Sequence, residues 1–321
     1  MTRPFRFAVQ IFRGTKSSAE FGELVRRIED LGYSTLFLAD HYLGKGPATQ
    51  KARQLPQYLA PITAMATAAA LTRTLRVGSR VFCMDYHVPA VLAKEAATLD
   101  VLSDGRLEFG IGAGWSEHEY AAMGLTMGPP GQRVAKLQEV VALFKAHCSG
   151  EMLEIDGEHV TATGYTGLPL PSQRPHPPIM IGGAGKRVLS FAAREADIVS
   201  INNVDYDAVN AAGLSPQGEA QRRIAWVREA AGDRFDQLDI EASPFFTVVT
   251  DDPSEATTRI TSMIGVAEEG FVDHPNVLIG TAEELADRLQ ERREAFGVNY
   301  VTIQQTDMES FVPVVERLAG R

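Results

Sequence analysis

An Asp-His pair follows a short apolar run in the segment "FLADHYLG". The run at 35–39 is predicted to be a strand, so Asp40 and His41 stand at its C-terminal end. A histidine in that position can donate or accept a proton near neutral pH. Asp40 either orients His41 or occupies a separate hydrogen bond. The alternative is that Asp40 caps the next segment and His41 is a packed loop residue.

A glycine-rich stretch, "GIGAG" at 110–114, ends another predicted strand and is followed by Trp115. Its small residues leave a bare backbone that suits a flat ring. Their spacing is not that of the G-x-G-x-x-G dinucleotide motif. Trp115 is interpreted as a wall of the pocket, with a core position as the alternative. Gly78 and Ser79 are small residues in a bulky strand, which indicates a bulge, close ligand approach or ordinary packing.

A second glycine-rich stretch, "IGGAGKR", opens a predicted helix. Gly182, Gly183 and Gly185 expose backbone N–H groups there, and Lys186 and Arg187 add positive charge. This combination suits a phosphate. The alternative is a tight turn with two solvated basic residues.

Metal chemistry is not expected. The first predicted strand does not end in H-x-H, and His118-Glu119 does not continue as a zincin helix. The remaining histidines lack ligand spacing and are interpreted as surface or loop residues. They are His87, His147, His159, His176 and His274.

The order of the predicted elements favours a (β/α)8 barrel. Eight strands, nearly all followed by a helix, have nearly continuous apolar runs, as parallel strands covered on both faces do. They are 6–11, 35–39, 75–82, 106–111, 178–182, 197–201, 241–250 and 300–304. A doubly wound sheet is the alternative, but "QIFRGTKSS" after the first strand carries no dinucleotide fingerprint. We expect one domain, 1–321, with 150–177 as an excursion (a hairpin and an extended segment) between the fourth and fifth strands.

Composition limits the function further. The chain has 321 residues, 45% of them hydrophobic, and a formal net charge of −10. That charge argues against a nucleic-acid or anionic-membrane partner. The two cysteines, Cys83 and Cys148, are too few for a disulfide framework. No run has the length of a signal peptide or a membrane span, so we expect a cytoplasmic protein.

Four segments together resemble the luciferase-like monooxygenase superfamily. They begin with "FLADHY", continue through 77–120, the most specific block, and 167–201, and end with "IGTAEELADRLQERREAFGVNYVTIQ". More closely, the chain resembles an actinobacterial-type branch that uses the deazaflavin coenzyme F-420. The resemblance implies a barrel that binds a flavin or deazaflavin at the C-terminal ends of its strands.

The resemblance also assigns residues. It places the ring against the third and fourth strand ends, with Asp40 and His41 beside the reactive face. The third strand would carry a bulge with a cis non-prolyl peptide, which maps onto the Arg80–Val81 bond. The cofactor contacts implied are Ser79, Arg80, Val81, Gly112, Ala113, Gly114 and Trp115, with Gly182, Gly183, Ala184, Gly185 and Lys186 at the phosphate.

One departure concerns the substrate. In the F-420-dependent glucose-6-phosphate dehydrogenases that share this fold, an acid follows the glycine motif directly. Here Trp115 stands at that place, and the aromatic residue shortly after the Asp-His pair is also missing. We therefore expect a less polar substrate than a sugar phosphate, with Glu117 as the first acid after Trp115.

Three functions remain open. The first is an F-420-dependent oxidoreductase that transfers a hydride between the deazaflavin and a small, rather apolar organic substrate, with His41 as proton carrier. The second is a two-component monooxygenase that receives reduced FMN from a reductase partner. The third is a flavin-binding protein without catalysis. The resemblance further implies a homodimer packed through helices 61–72 and 89–103.

Overall fold

The computed structural model describes residues 3–12, 14, 15, 17–201, 204–206 and 209–321. Its strands are Arg6–Ile11 (β1), Thr35–Leu38 (β2), Arg76–Ser79 (β3), Phe82–Cys83 (β4), Leu107–Gly112 (β5), Met152–Asp156 (β6), Thr161–Thr166 (β7), Ile179–Gly183 (β8), Ile198–Ile201 (β9), Asp239–Ala242 (β10), Phe246–Val249 (β11), Val277–Gly280 (β12) and Val298–Gln304 (β13). Its α-helices are Ser18–Asp30 (α1), Pro47–Lys51 (α2), Pro61–Leu71 (α3), Pro89–Leu102 (α4), Glu117–Ala122 (α5), Pro130–Ser149 (α6), Lys186–Glu195 (α7), Pro216–Ala231 (α8), Pro253–Ile264 (α9), Ala282–Phe296 (α10) and Val312–Leu318 (α11). Short 3-10 helices span Met84–Tyr86, Gly232–Gln237 and Gln305–Asp307.

The main sheet is parallel in every strand pair whose register is known, and helices separate its successive strands except β3 and β4. Its strand order is β3-β2-β1-β13-β10-β9-β8-β5-β4, and β3 also pairs with β5. This is the (β/α)8 barrel class, so the predicted fold is confirmed. By its contacts the chain divides into two compact units. The first unit is Ile11–Glu29 with Thr35–Ile181, and the second is the remainder of the chain. That the chain is a single domain stays a prediction.

In the first unit, β2 pairs with β3, and β5 pairs with both β3 and β8. Every residue of β2 and β5 is buried, because helices cover the outer face of strands whose inner face is also enclosed. The predicted strand 75–82 is wrong as one continuous element. It is interrupted at Arg80 and Val81, whose peptide bond is cis, and resumes as β4.

Glycine is required where β3 and β5 approach each other. A Cβ on Gly110 would lie 1.8 Å from the carbonyl oxygen of Ser79. A Cβ on Gly78 would lie 2.6 Å from the carbonyl oxygen of Glu108. Real side chains do not approach backbone so closely, so these two glycines make room for the neighbouring strand.

In the second unit, β10 pairs with β9 and β13, and β13 pairs with β1, all in parallel. The predicted strand 241–250 is wrong as one element. β10 ends at Ala242, and β11 belongs to a separate two-stranded sheet with β12. Pro244 lies between them and has no N–H to donate to a ladder, which explains the break. A separate apolar cluster packs beneath this small sheet, with Phe271 and Ile260 among its buried members.

The excursion between β5 and β8 contains the predicted hairpin, formed by the antiparallel strands β6 and β7. Helix α6 ends before it at Gly150, whose φ of 79° suits a glycine C-cap. The extended part is tied down by Gln173, whose backbone and side-chain amides both donate to the buried Asp100. Across the described ranges of the chain, none of the helices combines the length and apolar character needed to cross a bilayer.

Candidate active site

The candidate site lies within the first unit, where strand ends and two short helices bring titratable side chains together. Asp40 and His41 follow β2, as predicted. Cys83 ends β4, and a 3-10 turn with Asp85 comes next. Helix α5, which was not predicted, begins two residues after Trp115 and carries Glu119 and Tyr120.

His41 binds a carboxylate that sequence reasoning missed. Its Nδ1 lies 2.6 Å from Oε2 of Glu119. The Glu119 side chain is fully buried, whereas 20% of the His41 side chain is exposed. The ring of Trp115 meets that of His41 edge-on, with centroids 5.8 Å apart, and 63% of Trp115 is exposed. Trp115 is therefore an exposed neighbour of His41, and the alternative core position is excluded. Its role as a pocket wall stays a prediction.

Glu119 accepts two further hydrogen bonds. The backbone N–H of Tyr42 donates to Oε1 at 2.8 Å, and Nε2 of Gln54 donates to Oε2 at 3.1 Å. Burial by itself raises the pKa of Glu119, but the hydrogen bond and charge of His41, with these two donors, bring it below its ordinary value. Glu119 is therefore a carboxylate at neutral pH. Glu117, the acid named from the sequence, is exposed on the same helix.

Asp40 binds His87 rather than His41. Its Oδ2 lies 2.9 Å from Nε2 of His87 and accepts the backbone N–H of Cys83 at 2.8 Å. Asp40 is 2% exposed, and the side chain of His87 is 11% exposed. His87 lies in the loop between the 3-10 turn and α4, as predicted, although its ring is packed against a buried carboxylate. The same interpretation is wrong for His147, which is buried within helix α6. Of the two roles considered for Asp40, the separate hydrogen bond is the one observed.

A polar chain lies behind the glycine motif. The hydroxyl of Tyr120 donates to Asp85 at 2.8 Å, and Sγ of Cys83 lies 3.0 Å from the same hydroxyl. Lys136 of α6 pairs with the other oxygen of Asp85 at 2.5 Å. Burial raises the pKa of Cys83 to about 11, so the thiol stays protonated. Gly114, at φ 73°, faces this chain, because a Cβ there would lie 2.0 Å from the Tyr120 oxygen.

The turn after β5 is held from outside by Arg133. Its guanidinium donates to the carbonyl oxygens of Ala113 at 2.9 Å and of Gly114. It also donates to Gly128 at 2.9 Å, at the approach to α6. Gly112 is buried at the end of β5, whereas Ala113 and Gly114 are partly exposed. The predicted ring cradle is thus a fixed turn, with its carbonyls directed to Arg133.

The predicted contacts on the third strand lie at its interruption. The peptide Arg80–Val81 is cis, at the bond that the resemblance implied. Arg80 and Val81 are partly exposed. The hydroxyl of Ser79 is buried, and no hydrogen-bond partner for it occurs among the residues the structure describes. A buried hydroxyl without a partner is uncommon in folded proteins. That Ser79 contacts a cofactor stays a prediction.

The predicted phosphate turn belongs to the second unit. Gly182 and Gly183 end β8, Ala184 follows, and Gly185 is the N-cap of α7. Gly183 is explained by packing, because a Cβ there would meet Cγ1 of Val188 at 2.3 Å. Lys186 Nζ lies 3.1 Å from Oε2 of Glu229, and both side chains are more than half exposed. Such a surface pair contributes little to stability. Phosphate binding by this turn stays a prediction.

Curated relatives match parts of the chain. An FMNH2-dependent dimethylsulfone monooxygenase of Pseudomonas putida is 28% identical over 185 residues, which cover 58% of this chain and 48% of that protein. An F-420-dependent glucose-6-phosphate dehydrogenase of Nakamurella multipartita is 27% identical over 241 residues, 74% of this chain and 66% of that protein. The chain thus spans about half to two thirds of these relatives.

Solved structures match nearly the whole chain. The crystal structure of a monooxygenase from Streptomyces bottropensis superimposes with a TM-score of 0.75 at 22% identity and covers 98% of both chains. At that identity the likeness shows the fold. The profile described as luciferase-like monooxygenase matches residues 3–274, well over half of the sequence. The chain therefore belongs to the luciferase-like monooxygenase family and is an enzyme.

Proposed function

We propose that this enzyme is a coenzyme F-420-dependent oxidoreductase acting on a small, rather apolar organic substrate. The observation that carries the proposal is the arrangement at His41. Its ring is held by the buried Glu119, meets the ring of the exposed Trp115 edge-on and remains accessible. The F-420-dependent relative at 27% identity supports the choice of cofactor. When bound, the deazaflavin would supply the hydride donor or acceptor.

The residues present fit such a cofactor. The buried hydroxyl of Ser79 offers a hydrogen bond that the described residues leave unused. The turn of Gly112, Ala113 and Gly114 carries no side chain larger than a methyl and is held in place by Arg133. Together with Arg80, Val81 and Trp115, these residues are proposed to hold the ring. The turn from Gly182 to Lys186 is proposed separately to bind a phosphate.

The two histidine–carboxylate pairs are proposed to have different tasks. His41 supplies or accepts the proton that accompanies hydride transfer, since its ring is accessible. Asp40, which the resemblance placed with His41 beside the reactive face, is proposed to position the backbone of Cys83 and the ring of His87.

The surface of the first unit supports the proposal of an apolar substrate. Trp115 is 63% exposed, and Tyr42, Leu55 and Tyr58 are each between 40% and 49% exposed. Tyr42 directly follows His41 in the sequence, and Leu55 and Tyr58 lie in the segment between α2 and α3. Large apolar side chains exposed next to a site are typical of surfaces that bind apolar molecules.

A two-component FMN-dependent monooxygenase is the second candidate, supported by the FMNH2-dependent relative. In that case a separate reductase would supply the reduced flavin. Titration of the purified protein with each cofactor, followed by quenching of cofactor fluorescence, separates the two. Micromolar binding of F-420 without binding of FMN is the expected result. Binding of FMN alone would replace the proposal by the second candidate.

The enzyme is further proposed to be a homodimer packed through α3 and α4. Four apolar side chains of these helices are exposed, with Val91 and Leu102 at 52% and 70% and Leu71 and Val101 at 37%. Sedimentation at micromolar concentration should give twice the chain mass, and Leu102→Asp should shift it toward the monomer. A wild-type chain that sediments as a monomer would end this proposal.

A further inference from the structure

Glu119 accepts hydrogen bonds from three donors, one of which is the ring of His41. These contacts indicate which ring nitrogen of His41 carries the proton. We propose that Glu119 is a positioning residue that fixes the Nδ1–H tautomer of His41 and leaves Nε2 as the nitrogen that exchanges protons. The tautomer stands on geometry alone. Its use in catalysis rests on the proposed function.

The tautomer follows from what each atom can do. An ionised carboxylate only accepts hydrogen bonds. Nδ1 of His41 lies 2.6 Å from Oε2 of Glu119, so a proton must lie on Nδ1 for that contact to be favourable. The neutral ring then has its lone pair on Nε2. A protonated ring keeps the same Nδ1–H and adds a proton at Nε2.

The environment of Glu119 favours its ionised form. Three donors converge on its two oxygens: the ring of His41, the side chain of Gln54 and the backbone N–H of Tyr42. Its side chain is fully buried, so a carboxylate there requires such compensation. Both oxygens accept from these donors, which favours the ionised carboxylate because it accepts at every lone pair.

Glu119 also fixes the ring from two directions. The side-chain contact holds Nδ1, and the contact with the N–H of Tyr42 holds the main chain immediately after His41. The His41 ring and the main chain that follows it are thus both hydrogen-bonded to the Glu119 carboxylate on α5. Asp40 does not share this task, because its carboxylate binds His87 and Cys83. A ring bound at Nδ1 presents Nε2 in one direction, which is the requirement for proton transfer to a bound molecule.

The tautomer can be measured without any cofactor. We would label histidine with ¹⁵N and record the ring nitrogens, with the His41 signals assigned by their loss in His41→Gln. In the wild type, Nδ1 should show the shift of an N–H nitrogen and Nε2 that of a bare nitrogen. In Glu119→Gln this fixed assignment should be lost, because an amide can accept from Nδ1 or donate to it.

Two matched controls distinguish the effect of the Glu119 carboxylate from effects of neighbouring residues. Gln54→Ala removes a neighbouring donor and should keep the Nδ1–H tautomer. Glu117→Gln changes an exposed acid on the same helix and should alter neither the tautomer nor turnover. The proposal is overturned if wild-type His41 carries its proton on Nε2 when neutral, or if Glu119→Gln retains the wild-type tautomer.

Turnover tests the catalytic part. Glu119→Gln should lower kcat by about 10²-fold, within the usual contribution of proton transfer, with cofactor affinity from fluorescence titration retained. Glu119→Asp, whose carboxylate sits one methylene further back, should recover part of the loss. Wild-type kcat in Glu119→Gln would overturn the catalytic role. A wild type that binds neither F-420 nor FMN would instead reject the proposed function, while the nitrogen shifts would still decide the tautomer.

Discussion

The carboxylate of Asp40 lies 2.8 Å from the backbone nitrogen of Cys83, so the end of β2 is hydrogen-bonded to the strand that resumes as β4. The two residues are 43 positions apart in the chain. Between them lies the interruption at Arg80 and Val81. One buried side chain thus holds the position at which the third strand restarts.

Replacing Asp40 tests this role. Asp40→Ala leaves the buried N–H of Cys83 without its acceptor, which should lower the free energy of unfolding by about 1–3 kcal/mol. Urea denaturation measures the change. Asp30→Ala, an exposed position at the end of α1, is the control and should stay within about 0.5 kcal/mol of the wild type. Equal effects of the two substitutions would contradict the structural role.

His41 should matter for turnover more than for stability. If it carries the proton, His41→Ala should lower kcat about 10²–10⁴-fold while cofactor affinity is mostly retained. His118→Ala removes an exposed histidine of α5 and should leave the rate unchanged. Steady-state kinetics with fluorescence titration gives both quantities. A His41→Ala enzyme with the wild-type rate would remove His41 from the mechanism.

Gly110 should not tolerate a side chain. Gly110→Ala would place a methyl 1.8 Å from the Ser79 carbonyl, so β3 and β5 would have to separate. We expect a loss of about 3 kcal/mol or more, at or above the usual cost of overpacking, seen as a lower midpoint in urea. Gly185→Ala has nothing within 4 Å of the new methyl and serves as control. A Gly110→Ala protein as stable as the control would show that the strands separate easily.

Glu29 should make stability depend on acid pH. Partial burial raises its pKa, but hydrogen bonds from Thr74, Leu75 and Arg73 outweigh this and lower it from 4.5 to about 2. A depressed folded-state pKa stabilises the protein above the unfolded value, and this contribution disappears as pH falls from about 5 to 2. Glu29→Gln should therefore cost about 1–2 kcal/mol at pH 7, after allowance for solvent screening.

The check is a series of urea denaturations of both proteins between pH 7 and pH 2. The difference in the free energy of unfolding should shrink steadily toward the acid end. A difference that is constant over this range would mean that the carboxylate charge of Glu29 does not stabilise the fold.

Substitutions of Lys186 and Glu229 should change the cofactor affinity in opposite directions. If Lys186 binds a phosphate, Lys186→Glu should weaken cofactor binding by about 1 kcal/mol or more. Glu229→Gln frees Lys186 from its partner 3.1 Å away and should strengthen binding, most clearly at low salt. Fluorescence titration at two salt concentrations measures both. Unchanged affinity in both variants would remove this turn from the binding site.

The barrel was predictable because its signals are local. The residues of β2 are all buried, and three of its four side chains are apolar. Segments with helical periodicity separate such apolar runs. Helix α10 even starts at a capping box, Thr281 with Glu284. The strand β12 was missed because four residues in a loop-rich region give no periodicity.

The partners at the site were not predictable in the same way. Asp40 and His41 adjoin in sequence, yet their partners, His87 and Glu119, are 47 and 78 residues away. Which carboxylate meets which ring depends on tertiary packing that local patterns do not encode. Helix α5 is only six residues long, so the burial of Glu119 leaves no readable period. Its only signal is an acid flanked by Tyr120 soon after a glycine turn.

The hydrogen bonds from Arg133 to the turn after β5 affect the entropy of binding a ligand at that turn. Three carbonyls, those of Ala113, Gly114 and Gly128, are already fastened to one guanidinium. A ligand that settles on this turn therefore has little main chain left to immobilise, and loses less entropy than it would on a free glycine loop. Glycines usually make a loop mobile. In this turn they leave space for a ligand, while Arg133 holds the main chain in place.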